Sequence, residues 1–146
     1  MNYRFFLQDI PCALSTWSAK ISVKKTDDVT VFCTGDTLPE YRTDDCWNHF
    51  YFYTKLKLPM STFALAIGKW KVNTVNYGVV NARFIGPSKL VDEHFEDIDK
   101  YIPASFSAAI ELFGPYPLKR CDFVVIHRSF SGLGLASPNL VFLSPR

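Results

Sequence analysis

Three histidines, His49, His94 and His127, are the side chains in this sequence most suited to metal binding or proton transfer. A zinc peptidase holds its metal with H-E-x-x-H, in which two imidazoles share one helix face and the glutamate acts on a water. The 146 residues do not contain this motif. His94 and Glu96 are two residues apart on a predicted helix and do not share a face, and His127 is expected to be structural. The histidines therefore predict no metal site and no catalytic residue.

A glycine-rich segment, 129–138 (SFSGLGLASP), is the other place where chemistry could be expected. It is not the G-x-S-x-G of a nucleophile elbow. Gly132-x-Gly134 lacks the third glycine and the following helix of a phosphate-binding loop. No Ser-His-Asp or Cys-His arrangement stands out in the rest of the sequence. Taken alone, these residues predict only a loop between two strands.

The cysteines give no sign of a zinc knuckle, a redox motif or a disulfide framework. Cys12, Cys33, Cys46 and Cys121 include no C-x-x-C pair, which is the spacing that zinc and redox motifs use. Four cysteines in 146 residues are also too few for the dense framework of a small secreted domain. We therefore expect four buried thiols in a reducing compartment.

Charge and hydropathy argue against two classes of partner. The net charge is +2 and the basic residues are scattered, whereas a nucleic-acid-binding domain normally carries a basic stripe. The first residues show no signal-peptide pattern. The longest apolar run, 63–67, is far shorter than the ~20 residues that cross a bilayer. We therefore expect no nucleic-acid partner, no membrane partner and a cytoplasmic location.

Hydrophobic periodicity predicts strands before residue 86 and a mixture of helix and strand after it. The predicted strands are 17–24, 29–33, 50–58, 62–70, 79–85, 121–127 and 139–144. Apolar residues at helical spacing predict helix over 88–113, with Pro103 either bending it or starting a second one, and Gly114 ends it. The predicted fold class is mostly β with an α/β C-terminal part, and Gly86-Pro87 is the predicted domain boundary.

Three segments resemble the gluzincin zinc aminopeptidases, in the same order along the chain. The segment 113–145 (FGPYPLKRCDFVVIHRSFSGLGLASPNLVFLSP) resembles the start of their catalytic domain, where a helix ending in Gly-Pro-Tyr precedes a strand and a loop S-F-x-x-G-G-M-E-N-P. Upstream, 8–11 (QDIP) is similar to their C-Q-D-x-P, and 56–68 (LKLPMSTFALAIG) to their x-P-x-P-x-x-x-x-A-L-x-x-G. Within the family, 8–17 and 132–139 are similar to the aminopeptidase O subgroup.

The resemblance implies a fold in two parts and a function in a longer parent protein. Residues 1–85 would be part of a β-saddle N-terminal domain, and residues 86–146 the start of a thermolysin-like catalytic domain. The parent would use zinc to remove N-terminal residues from peptides, and its partner would be the peptide N-terminus. This chain ends at Arg146 without H-E-x-x-H, so we expect it to bind no zinc and to hydrolyse nothing alone. Unpaired strand edges are expected to let it self-associate.

The resemblance also assigns the candidate substrate-binding residues. Gly134, Leu135, Ala136 and Ser137 take the places of Gly, Met, Glu and Asn in the family loop, whose backbone pairs with the extended peptide and whose glutamate binds its amine. Ala136 cannot bind an ammonium group, and losing a charge-assisted hydrogen bond costs about 1.5–3 kcal/mol. The alternative function is therefore a non-catalytic aminopeptidase-like module that binds a peptide or protein.

Overall fold

A computed structural model describes residues 10–25, 28–38, 42–126 and 134–144. Within these ranges the chain forms, in order, β1 (Leu14–Lys24), β2 (Val29–Cys33), β3 (Asp36–Thr37), β4 (Arg42–Thr43), β5 (Trp47–Pro59), a 3₁₀ turn (Met60–Thr62), β6 (Leu65–Lys69), β7 (Lys71–Asn76), β8 (Asn81–Gly86), α1 (Ser88–Phe113), β9 (Arg120–Val125), β10 (Gly134–Ser137) and β11 (Leu140–Leu143). The elements before α1 are strands and one short turn, and α1 is followed by three strands. This order agrees with the predicted fold class.

The first sheet is built on β1 and β5, which pair antiparallel along most of their length. The short strands β3 and β4 also pair with β5. Along β1 the residues alternate between half-buried and exposed, as the alternation of apolar and polar side chains predicts. Ser22 lies directly opposite His49 in this ladder, on the exposed face.

The strands β2 and β6 form a two-stranded layer between the first sheet and the rest of the molecule. Val31 and Cys33 of β2 pack with Phe52 against the first sheet. Phe32 points the other way and packs with Ile85 and the residues around it. Because successive side chains of a strand point to opposite faces, the Val31–Cys33 part of β2 is buried on both sides, whereas Ile67 of β6 is 45% exposed.

The third layer is a five-stranded sheet in the order β10-β11-β9-β8-β7. The strands β8, β9 and β11 run parallel, whereas β7 and β10 pair antiparallel with their neighbours. The helix α1 connects β8 to β9, as a parallel pair requires. The sheet takes strands from both sides of residue 86, and the predicted division into 1–85 and 86–146 stays a prediction.

The helix α1 covers one face of the five-stranded sheet. Its apolar side chains at helical spacing meet Phe84 and Phe123 of the sheet, and Phe84 makes an edge-to-face contact with Phe95 at 5.0 Å between ring centroids. Ser88 is the first helical residue, and Pro87 occupies the cap position. One continuous helix passes through Pro103, and it ends before Gly114 at φ 85°. The opposite face of the sheet packs on the β2–β6 layer.

Candidate substrate-binding strand

The four predicted substrate-binding residues form the edge strand β10. Gly134 pairs with Leu143 and Ser137 with Leu140, so β10 is joined to the sheet by β11. The sequence predicted that these residues belong to a loop over 129–138, and this part of the prediction is wrong for Gly134–Ser137. Residues 127–133, which include His127, lie outside the described ranges. In the part of the chain that the structure describes, no strand pairs with the outer edge of β10.

The side chains of β10 alternate between the two faces of the sheet. Directly opposite residues in an antiparallel pair share a face. Ala136 lies opposite Val141, which packs towards α1, whereas Leu135 lies opposite Phe142, which packs towards the β2–β6 layer. Leu135 is 53% exposed. The strand therefore presents an apolar side chain on one face, a methyl group on the other and no charge on either.

Gly134 is a point of close approach within the sheet. A Cβ atom at this position would lie 2.9 Å from the carbonyl oxygen of Phe142. Real Cβ contacts are almost never this short, so a side chain at Gly134 would push β10 away from β11. The sequence signal of a glycine in this segment thus corresponds to a packing requirement inside the sheet.

A two-residue turn, Pro138-Asn139, joins β10 to β11 and is bonded to a distant part of the chain. Asn139 has φ 53°, and proline followed by a left-handed asparagine is typical of a type II turn. The backbone N–H of Gly35 donates to Asn139 Oδ1 at 2.8 Å, and Asn139 Nδ2 donates to the carbonyl oxygen of Gly35 at 3.0 Å. The turn that ends β10 is thereby held against the segment between β2 and β3.

Gly35 has no substitute at this junction. Its φ is +96°, a conformation that side chains disfavour. A Cβ atom would also lie 2.5 Å from the carbonyl oxygen of Tyr53. Both the backbone conformation and the available space therefore require glycine.

A buried ion network lies beside this junction, on the face of the five-stranded sheet that meets the β2–β6 layer. The Asp122 carboxylate is fully buried and accepts two hydrogen bonds from Arg83, Nε to Oδ1 at 2.7 Å and Nη2 to Oδ2 at 2.6 Å. Arg120 Nε donates to Asp122 Oδ2 at 2.9 Å, and Arg120 Nη2 donates to the Gly35 carbonyl at 3.1 Å. The Asp122 N–H donates to the Asn139 carbonyl at 2.9 Å.

The network joins three parts of the fold around one carboxylate. Arg83 comes from β8, Arg120 and Asp122 from β9, and the backbone acceptor from the segment before β3. The Arg83 guanidinium also lies over the Phe32 ring, 4.9 Å from its centroid, which links the network to the β2–β6 layer. None of these residues was among the candidates predicted from the sequence. The available signal was a lone aspartate inside the apolar strand CDFVV, because a charge in a buried strand is normally paired.

A shallow cleft of about 100 Å³ lies next to the network. Its lining residues come from the segment that enters β3, from β5, from the approach to β9 and from the turn between β10 and β11; they are Gly35, Asp36, Thr54, Lys55, Leu56, 117–120 and Asn139. None of the four predicted substrate-binding residues lines it. The cleft is therefore separate from the exposed edge of β10.

The described residues do not provide a zinc site. Within the described ranges, no group of three or more His, Cys, Asp or Glu side chains is placed to bind a metal ion. His94 lies half-buried on α1 and belongs to no such group. This part of the chain therefore lacks the donor set that zinc requires. That the whole chain binds no zinc stays a prediction.

The cysteines divide into two buried and two exposed thiols. Cys33 and Cys121 are buried, and burial raises their pKa to about 12 and about 11. Cys12 and Cys46 are exposed, so the prediction of four buried thiols is wrong for these two. Both lie in turns beside a strand, where exposure does not follow from apolar periodicity.

No helix in the described ranges combines the length and the apolar character needed to cross a membrane.

Comparison with known proteins identifies similar aminopeptidases. Aminopeptidase O from Homo sapiens is 25% identical, over 96% of this chain and 22% of that protein. Aminopeptidase B from Mus musculus is 29% identical, over 99% of this chain and 21% of that protein. No protein-family model matches the chain. The chain spans about a fifth of the length of these relatives.

Two solved structures share the fold. Legionella pneumophila aminopeptidase A, crystallised in complex with aspartic acid, has a TM-score of 0.83 and 14% identity, over 95% of this chain and 17% of its own. Yeast LTA4 hydrolase has a TM-score of 0.73 and 20% identity, over 94% of this chain and 20% of its own. The predicted fold class and the predicted resemblance to the gluzincin aminopeptidases are thus confirmed.

Proposed function

We propose that this chain, which resembles the gluzincin aminopeptidases over nearly its whole length, supplies the substrate-groove strand of a zinc aminopeptidase that removes N-terminal residues from peptides. The observation that supports the proposal is the position of β10. The segment matched to the family's substrate loop is an edge strand with an unpaired outer edge among the described residues. An edge of this kind can accept an extended peptide as an additional strand.

Binding would use the backbone of β10 more than its side chains. Alternate N–H and C=O groups of an edge strand point away from the sheet and are open to a new partner. Leu135 would form an apolar wall beside the peptide, and the small Ala136 would leave room on the other face. The Asn139–Gly35 hydrogen bonds and the Asp122 network would fix the end of β10 before the peptide arrives, which reduces the entropy lost on binding.

Selection of the free amine would have to come from elsewhere in the parent. Ala136 carries no oxygen, so β10 lacks the carboxylate that binds the substrate ammonium in the family loop. The same observation favours the second candidate function, a non-catalytic module that binds peptides or proteins without reading the N-terminus. The cytoplasmic location and the lack of nucleic-acid and membrane partners stay predictions.

The proposal can be tested with the purified chain by titrating an extended pentapeptide and following the backbone amide signals by NMR. We expect shifts in the amides of β10 and none in β7, the opposite edge of the same sheet and thus an internal control. A peptide with proline at alternate positions should bind more weakly, because proline cannot donate to the ladder. Equal shifts at both edges, or no shift at β10, would contradict the proposal.

A comparison in the full-length parent separates the two candidate functions. If the parent is an aminopeptidase, it should cleave peptides with a free N-terminus and leave N-acetylated peptides intact. Equal binding of both peptides without cleavage would support the binding module. The purified chain alone is expected to retain no zinc after dialysis and to leave aminoacyl-coumarin substrates uncleaved.

A further inference from the structure

Ser22, His49 and Asp44 form a continuous hydrogen-bonded chain on the exposed face of the first sheet. Ser22 Oγ lies 2.8 Å from His49 Nδ1, and His49 Nε2 lies 3.0 Å from Asp44 Oδ2. No Ser-His-Asp arrangement was predicted from the sequence, because Ser22 and His49 are 27 residues apart. The β1–β5 ladder places them directly opposite each other, and the bend before β5 brings in Asp44.

The hydrogen bonds around Asp44 favour one direction of proton donation along the chain, from Ser22 to His49 and from His49 to Asp44. Asp44 Oδ1 accepts the backbone N–H groups of Cys46 at 2.9 Å and Trp47 at 2.6 Å. The Cys46 N–H, then His49, then the Trp47 N–H lower the pKa of Asp44, so it is an ionised acceptor. His49 Nε2 then donates to Asp44, and in the tautomer that carries its single proton on Nε2, Nδ1 presents its lone pair to Ser22. The Ser22 hydroxyl therefore donates to His49, as a nucleophile donates to its base.

The surroundings of Ser22 suit a small ester whose leaving group is aromatic. Ser22 is exposed, whereas the His49 side chain is only 15% exposed and is sheltered in the sheet surface. Lys20 and Lys24 lie two residues away on the same face of β1, and the Lys20 ammonium lies over the Tyr51 ring, 5.8 Å from its centroid, so this face carries positive charge. Trp47 pairs with Lys24 and is 44% exposed, so its indole offers a surface for an aryl group.

We propose that Ser22 is a nucleophile that takes an acyl group from small aryl esters, with His49 as its base and Asp44 as the group that orients His49. Ser22 Oγ attacks the ester carbonyl carbon while its proton moves to His49 Nδ1. The bond to the aryl oxygen breaks, and the leaving phenolate takes the proton from His49 and departs as the phenol. A water deprotonated by His49 then attacks the carbonyl carbon of the acyl-serine, the bond from that carbon to Ser22 Oγ breaks, and His49 returns its proton to Oγ as the carboxylic acid leaves. This activity is independent of the peptide-binding strand.

The experiment is site-resolved acetylation of the intact chain by 4-nitrophenyl acetate, stopped with acid and read by peptide mass spectrometry. Ser18 is the matched control, because it is an exposed serine on the same face of β1 that lies opposite Tyr53 instead of a histidine. General-base assistance contributes about 10²–10⁴-fold, so Ser22 should be acetylated at least about 100-fold faster than Ser18. Equal rates at the two serines would overturn the proposal, and this comparison needs no variant.

Two variants test the roles of the partners. His49→Ala should lower the rate at Ser22 to that at Ser18, and Asp44→Asn should lower it by about tenfold or more, because the ring is no longer held in the required tautomer. Circular dichroism checks that each variant is folded. Undiminished acetylation of Ser22 in a folded His49→Ala chain would overturn the assignment of the base. In that case the Ser22–His49 hydrogen bond would be only a cross-strand contact.

Discussion

The side-chain amide of Asn139 makes two hydrogen bonds with the backbone of Gly35, a residue 104 positions earlier in the chain. The amide of Asn139 therefore connects the turn that ends β10 to the segment that leads into β3. A side-chain amide can satisfy a backbone N–H and a backbone C=O at once, as a neighbouring strand would. The position of the candidate peptide-binding strand thus depends on a glycine in a different layer of the molecule.

Replacing Gly35 by alanine should be strongly destabilising. The new Cβ would lie 2.5 Å from the Tyr53 carbonyl oxygen, and the residue would have to keep φ near +96°. Left-handed backbone costs a non-glycine residue about 1–2 kcal/mol, and with the clash we expect a loss of about 3 kcal/mol or more in the free energy of unfolding. Denaturant unfolding of the purified chain measures this value.

Gly78→Ala is the matched control for this prediction. Gly78 also has a positive φ, +80°, but no atom lies within 4 Å of its would-be Cβ. Alanine there should cost only the backbone strain of about 1–2 kcal/mol. Equal losses at the two glycines would show that the close approach to Tyr53 is unimportant.

Removing the Asp122 carboxylate should also destabilise the fold. Asp122→Ala would leave Arg83, which is largely buried, without its bidentate partner and would free one donor of Arg120. Breaking a buried ion pair by deleting one partner costs about 3–5 kcal/mol, mainly because a charge is left uncompensated. We expect a loss of this size in denaturant unfolding.

The double replacement Arg83→Met with Asp122→Leu separates charge from packing. Apolar residues of similar volume often replace a buried ion pair with little loss of stability. The double variant should therefore recover at least half of the loss caused by Asp122→Ala. A double variant as unstable as the single one would mean that the network stabilises the fold through its specific geometry.

The thiols should fall into two reactivity classes. Cys12 and Cys46 are exposed, whereas burial keeps Cys33 and Cys121 protonated. Only the thiolate is a good nucleophile. Iodoacetamide near neutral pH should therefore alkylate Cys12 and Cys46, and it should spare the two buried cysteines until the chain unfolds. Peptide mass spectrometry after timed alkylation measures the four rates. Similar rates at all four cysteines would contradict the described burial.

The buried thiols of Cys33 and Cys121 predict how the free energy of unfolding changes in alkaline solution. Their pKa in the folded chain, about 12 for Cys33 and about 11 for Cys121, lies above the ordinary value of 9.0. Above pH 9 the unfolded chain loses these protons first, so the folded state binds more protons and the free energy of unfolding falls as the pH rises. The raised pKa values of Tyr77 and Tyr116 act in the same direction. Urea unfolding from pH 8 upwards should show a steady decline, and a flat profile would be inconsistent with buried thiols.

Local patterns in the sequence were sufficient for most of the fold and for little of the candidate site. Alternation predicted β1 and β5, and helical spacing predicted α1, because both depend on neighbours within a few residues. The strand β10 was missed because Gly, Ala and Ser are poor strand formers, and pairing with β11 overrides their preference. The contact of Asn139 with Gly35 joins residues 104 apart, which no local pattern reports.

The outer edge of β10 should be the site through which the isolated chain self-associates. Its sequence, Gly-Leu-Ala-Ser, carries no charge, whereas the other edge of the same sheet, β7, begins with Lys71, which is bonded to Asp92. Charged residues, lysine above all, discourage edge-to-edge pairing. Leu135→Lys should therefore lower the weight-average mass measured by light scattering at high concentration, and Val72→Lys, at an exposed apolar position on β7, should leave it unchanged. A wild-type chain that stays monomeric, or an effect of Val72→Lys alone, would refute association through β10.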